Sequence, residues 1–214
     1  MLTEGKRPIM RKLRYKGTES GVTEVHIVNF YKKALKLEED ELAEQLARIS
    51  RRENLRKGQR VVSMGEQMEG LSVLVKGVLR GYVVDESGRD ITDCFIFEPV
   101  DIIMGCGDFC APSPVHIEAI TPCQVLVMPL AELLPMMGQP GLLAVHNRQL
   151  QAALSRHWQL KMLLYQCDAM TRYQWFRKNY PGLEETVSGK HLASFMGMTP
   201  VTLSRLRRKL REDE

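Results

Sequence analysis

Hydrophobic and polar positions divide the chain into three regimes. In YKKALKLEEDELAEQLARI, residues 31–49, Leu35, Leu42 and Leu46 fall near one face and an acidic cluster on the other. That spacing predicts one amphipathic helix packed on a domain surface. From about 54 to 129 the period shortens. Short apolar runs (Arg60 to Val62, Leu71 to Val75, Val78 to Val84, Ile91 to Phe97, Gln124 to Met128) alternate with glycines. Regularly spaced short strands of this kind predict an antiparallel sandwich or barrel. Asp85-Glu86-Ser87-Gly88 lies between two such runs and reads as a hairpin turn, with Gly88 able to supply positive φ.

From about 141 to 178 the pattern is helical again, opened by Pro140-Gly141 and closed by Pro181-Gly182. In one heptad phase Leu143, Leu150, His157 and Leu164 occupy a, and His146, Ala153, Leu160 and Cys167 occupy d. This is a coiled-coil seam interrupted by two histidines, and it predicts a homodimer paired along the helix. The expected dimer seam is Leu143, Leu150, His157, Leu160 and Leu164.

Composition adds a class and charge adds a polarity. The chain has 214 residues with 44% hydrophobic and 26% charged positions, which is ordinary for a folded globular protein of one large or two small domains. The net charge of +4 is unevenly spread. Residues 1–16 carry about +5 and residues 171–214 about +4, leaving an acidic middle. No apolar run is long enough to span a bilayer and the N-terminus lacks the apolar core of a secretory signal. A cytoplasmic protein with no membrane partner is therefore expected. The five cysteines, Cys94, Cys106, Cys110, Cys123 and Cys167, are odd in number and scattered, so neither a disulfide framework nor a metal site is expected.

The most informative stretch is VSGKHLASFMGMTPVTLSRLRRKL, residues 187–210. Ser188 suits the N-cap of a short helix, Gly189 to Met196, with Leu192, Ala193 and Met196 facing inward. Gly197 can take the left-handed conformation of a sharp turn. Thr199 is a second N-cap and Pro200 stands at the first helical position. The next helix presents Leu203, Leu206 and Leu210 on one side and Val201, Arg205 and Arg208 on the other. Two short helices across a tight glycine turn make a helix-turn-helix, whose second helix enters the major groove of duplex DNA. Arg205 can offer a fork to guanine, and Ser188, Thr199, Thr202 and Ser204 are hydroxyl donors for phosphate. Arg207, Arg208, Lys209 and Arg211 add charge.

The order of strand-rich region, long helix and helix-turn-helix resembles the cyclic-AMP receptor protein (Crp/Fnr) superfamily of bacterial transcription regulators. The resemblance is carried by RYQWFRKNYPGL with the stretch just described, and by LSVLVKGVLRGYVVDESGRDIT, which is similar to the family's β-roll. It implies an α+β fold: an N-terminal cyclic-nucleotide-binding-like antiparallel β-roll (jelly roll), a long dimerisation helix and a C-terminal winged helix-turn-helix. The implied division is a basic arm at 1–24, an effector domain at 25–140, the dimerisation helix at 141–170 and the DNA-binding domain at 171–214. The family's base-reading positions fall on Pro200, Val201 and Arg205. Valine at 201, where many members carry glutamate, implies a different operator.

The effector side departs further from the family. Its cyclic-nucleotide binders hold the ligand with a Gly-Glu pair and a following Arg-Ser. The matching stretch here is MGCGDFCAPSPVHIEAI, with Gly107-Asp108 in place of Gly-Glu and no arginine or lysine between Arg89 and Arg148. The pocket candidates are Gly105, Gly107, Asp108 and His116, and cyclic AMP is not the expected effector. The cofactor is left unknown. No cysteine precedes Cys94, which disfavours an iron–sulfur sensor. Only His116 lies between residues 50 and 140, too few for a cupin metal enzyme, and no catalytic set stands out. The expected function is a dimeric regulator, not an enzyme, with duplex DNA, RNA polymerase, a second copy and a small-molecule effector as partners. The alternative is a small-molecule-binding β-roll whose helix-turn-helix serves protein contacts.

Overall fold

The computed structural model describes residues 24–37, 40–99, 101–103, 108 and 111–213. The basic arm expected at 1–24 lies almost wholly outside them. Two helices, α1 (Glu24–Leu35) and α2 (Asp40–Ile49), precede β1 (Arg51–Leu55), β2 (Arg60–Val62), β3 (Gly70–Lys76), β4 (Leu79–Val84), β5 (Asp90–Ile96), β6 (Ile102–Ile103), β7 (His116–Ala119) and β8 (Cys123–Pro129). Then come α3 (Leu130–Leu133), a 3-10 turn (Leu134–Met136), α4 (Pro140–Gln166), α5 (Ala169–Asn179), α6 (Leu183–Thr186), α7 (Gly189–Phe195) and α8 (Pro200–Asp213).

The strands form two four-stranded antiparallel sheets, β1-β8-β3-β6 and β2-β7-β4-β5, as the alternating runs predicted. Alternation decides what each face meets. On β8, Cys123 and Val125 belong to the core between the sheets, while Leu126 and Met128 belong to a core under the helices. On β3, Leu74 joins the first of these, and Leu71 and Val73 the second. The outer face of the first sheet is roofed by Tyr31, Leu42, Leu46, Leu133, Leu142 and Val145. The second sheet turns Leu79, Ile96, Ile117 and Ala119 inward. Its Val78 and Phe95 share a core with Tyr173, Phe176, Leu192 and Phe195 of the C-terminal helices α5 to α8, here called the head. The β4–β5 turn is built as expected: Asp85 Oδ1 accepts from the Ser87 and Arg89 amides, and Gly88 takes φ 79°.

The structure differs from the helical expectations at three points. The single helix expected at 31–49 is two, because Lys36 adopts φ 49° and turns the chain back. The Tyr31 and Ser50 hydroxyls bond at 2.6 Å across the resulting pair. Folding back lets both apolar stripes lie on one sheet, which a straight helix of about 28 Å does not allow. The long C-terminal helix ends at Gln166, and Cys167 is extended. Asp168 then restarts the helix, its Oδ1 accepting from Thr171 N at 2.8 Å. Finally, the resemblance implied a wing, but the described residues of the head form helices and turns only. Gly182 at φ 78° starts α6, which buries Leu183 against the head core.

Candidate functional site

The helix-turn-helix is assembled by local signals in the C-terminal stretch. Ser188 Oγ accepts from His191 N at 3.4 Å and caps α7. Gly197 takes φ 61°, and the turn closes through Gly197 N to Ser194 O at 3.0 Å and Met198 N to Ala193 O at 2.9 Å. Thr199 Oγ1 accepts from Thr202 N at 3.1 Å and bonds the Thr202 hydroxyl at 2.9 Å, capping α8 one residue before Pro200. Each such cap contributes about 1 kcal/mol. Leu192, Ala193, Met196 and Leu203 are buried between the two helices, with Leu206 and Leu210 packed beside them.

The opposite side of α8 is bare. Val201 is 59% exposed, and Ser204, Arg205, Arg208 and Lys209 are also exposed. Arg208 has only a loose 3.7 Å pair with Glu212. Arg207 departs from the sequence expectation. Its Nε donates to Glu184 Oε1 at 2.7 Å, and the Tyr173 hydroxyl donates to the same carboxylate. It therefore ties α8 to α6 and does not share the cationic face. Burial and the Glu184 charge push the Tyr173 phenol up from its ordinary value.

The faces of α4 are sorted less simply. Leu142, Val145 and Leu163 are buried against the chain itself. Of the expected seam, Leu143 is exposed, but Leu150, His157 and Leu160 line a cavity of about 300 Å³. Further walls come from Cys94 and Phe95 of β5, Ile102 of β6, Leu154 and Arg156 of α4, and Tyr180 and Phe195 of the head. Leu164 reaches Gly197 in the helix-turn-helix turn. The large apolar residues left exposed on α4 are Leu143, Leu154, Trp158, Met162 and Tyr165. Most of this stripe was missed in the sequence, because the heptad count follows leucines and it contains few. Burial pushes the Cys94 thiol up to about 12, so at the cavity wall it is a weak nucleophile.

Of the effector candidates, His116 and Asp108 lie among the described residues. His116 stacks on Tyr82 at 5.0 Å, and its Nδ1 accepts from Met64 N at 3.0 Å, which makes it part of the sheet. Asp108 is exposed, its carbonyl accepting from Ala111 N at 3.3 Å. Gly105 and Gly107, like Cys106 and Cys110, lie outside the described residues. The most deeply placed charge is Arg80, 3% exposed on β4. It donates to Glu118 and to Asp90, each at 2.7 Å, and its guanidinium lies 4.3 Å from the centre of the Tyr82 ring. No group of three metal-ligating side chains occurs among the described residues, and no described helix is long and apolar enough to cross a membrane.

These features have counterparts in known proteins. Residues 52–139 match the cyclic nucleotide-binding domain family. Beyond this domain the fold is similar to that of solved Crp/Fnr regulators. FixK2 from Bradyrhizobium japonicum superposes with a TM-score of 0.68 at 20% identity, over 77% of this chain and 86% of that one. The c-di-GMP-responsive global regulator CLP of Xanthomonas campestris gives 0.67 at 17% identity, over 82% and 93%. A structure described as a transcriptional regulator of the Crp/Fnr family from Eubacterium rectale gives 0.68 at 17% identity, over 86% and 88%. At these identities the likeness is one of fold. No curated protein matches the sequence. The matched region thus contains the two sheets, and the head lies C-terminal to it.

Proposed function

We propose that this chain is a homodimeric, sequence-specific DNA-binding transcription regulator of the Crp/Fnr type. The observation that carries the reading is the face of α8. Val201, Ser204, Arg205 and Arg208 are exposed together on a helix held by its own cap and by a buried leucine seam. Arg205 is the base-reading side chain, with Pro200 and Val201 beside it. Ser188, Thr199, Thr202, Ser204 and Arg208 meet the backbone. The exposed apolar residues of α4 pair with a second copy, which sets two recognition helices about 34 Å apart along the duplex.

In this reading residues 25–140 sense, 141–170 pair and 171–214 read DNA, with 1–24 as a basic arm. The cavity between β5, α4 and the head is the place where an effector acts. Cyclic AMP is not that effector, because no arginine or lysine lies between residues 89 and 148 and Arg80 is already held by two carboxylates. The protein works in the cytoplasm with RNA polymerase as a further partner, and it is not an enzyme. Titration of duplex DNA at several salt concentrations tests the reading. The expected result is a steep linear fall of log affinity with log salt. A chain whose head serves only protein contacts would give no saturable duplex binding.

A further inference from the structure

The head does not hang from α4: α7 lies on the outer face of the second sheet. Ser194 Oγ accepts from Thr92 N at 3.0 Å, and its own hydroxyl points to Asp90 O at 3.4 Å. Lys190 Nζ stands 3.1 Å from Asp90 Oδ1, whose other oxygen takes Arg80. The Phe95 and Phe195 rings meet at 5.1 Å beneath these bonds. The cluster of charges spans the two parts. On the sheet, the buried Arg80 is shared between two carboxylates, Asp90 and Glu118, and Arg60 stands opposite Glu118 in the β2–β7 register. Lys190 of the head brings a second positive charge to Asp90.

The Lys190 ammonium of this cluster lies two residues from Ser188, in the first turn of α7. In a helix-turn-helix complex the first helix crosses the DNA backbone, so its N-terminal groups approach phosphates. Asp90 and a DNA phosphate are thus alternative anions for one ammonium. While α7 is docked, Asp90 and Glu118 also hold negative charge beside the path of the backbone.

We propose that the Asp90–Lys190 pair, braced by Arg80 and Ser194, is a latch that holds the head docked on the β4–β5 face and restrains its engagement of DNA. This builds on the reading of the chain as a DNA-binding regulator and adds where its resting state is held. An effector that wedges the neighbouring cavity open, or the duplex itself, releases the latch by separating α7 from β5.

The experiment compares Asp90→Asn with the parent chain and with Glu86→Gln, an exposed carboxylate on the same hairpin that makes the same change of charge. Hydrogen exchange at the Thr92 amide reads docking directly, because that N–H is held by Ser194. Fluorescence anisotropy with a random-sequence duplex pool reads DNA affinity. Asp90→Asn is expected to speed Thr92 exchange and tighten duplex binding about two- to fivefold, the range of a partly exposed ion pair, with Glu86→Gln unchanged. Lys190→Gln removes the pair from the head side and is expected to speed Thr92 exchange likewise, should Asp90→Asn fold poorly. Unchanged exchange in both variants would overturn the latch. Faster exchange with equal or weaker duplex affinity would overturn its restraining role and leave the DNA-binding reading standing. Failure of both parent and variant to bind duplex would remove that reading itself, whereas a variant that binds where the parent does not supports both.

Discussion

Gly197 and Leu164 meet where the long helix touches the helix-turn-helix: a Cβ at residue 197 would lie 3.0 Å from Leu164 Cδ2. Arg172 bridges the same two residues, its guanidinium donating to the Leu164 and Gly197 carbonyls at 3.4 and 3.3 Å. The turn is therefore coupled to α4 by side-chain contact as well as by chain connectivity. Gly197 also sits at φ 61°, a conformation that costs other residues about 1–2 kcal/mol. Gly197→Ala is expected to destabilise the fold by about 2 kcal/mol, read as a lowered midpoint in urea. A midpoint equal to the parent's would show that the turn tolerates a side chain.

Arg205→Ala and Arg208→Ala should fail differently. Loss of the Arg205 fork is expected to cost about 1–3 kcal/mol at one position of each half-site and to relax base preference there. Loss of Arg208 is expected to weaken all sequences alike and to reduce the salt slope by about one per head. Selection from random duplexes, followed by salt titration of the enriched site, measures both. Enrichment that survives Arg205→Ala unaltered removes the assigned base contact.

The exposed stripe of α4 predicts a contrast between neighbours. Trp158 is 52% exposed and Leu163 is 8% exposed. Trp158→Glu is expected to shift the chain from dimer to monomer in sedimentation while leaving its fold intact. Leu163→Ala is expected to cost about 2–4 kcal/mol of stability and to leave the dimer in place. A dimer that survives Trp158→Glu and is lost with Leu163→Ala would remove the exposed stripe as the pairing face.

Here sequence and structure part for a physical reason. Heptad spacing shows that α4 has apolar stripes, but which one faces the chain's own sheet depends on contacts far away in sequence. Heptad spacing alone does not reveal that Leu150 and Leu160 also line a cavity with β5 and the head. The helix-turn-helix was legible almost residue by residue, because Ser188, Gly197, Thr199 and Pro200 act within one turn of themselves. The docking of Asp90 on Lys190 joins groups a hundred positions apart and left no local trace. Arg207 could have been separated from its neighbours by helical spacing alone, since it falls on the Leu203–Leu210 side.

His191 gives the docked head a pH dependence. It sits on α7 among Arg80 of β4, Asp90 of β5, Glu118 of β7 and Lys190, and burial followed by the Arg80 charge holds its pKa below the ordinary 6.5. The unfolded chain then binds the extra proton first, so stability is full above about pH 6.5 and falls as the medium is acidified below it. Thermal melts between pH 8 and 5 should show this decline, and His191→Gln should flatten it. Equal slopes for parent and variant would assign the decline to other groups.

Cyclic AMP should bind weakly or not at all. Calorimetric titration is expected to give no saturable heat in the low-micromolar range. A dissociation constant in that range would mean that backbone donors alone can hold the phosphate.

The core shared by Val78, Phe95, Phe176 and Phe195 bears on how such a protein is inherited. A head grafted onto another sensor would arrive with an aromatic face and nothing to cover it. Exchange of parts between regulators must then carry β5 along with the helix-turn-helix, or repair Phe195 at once. The boundary across which this chain can be recombined therefore runs through its second sheet, not through the junction at Cys167.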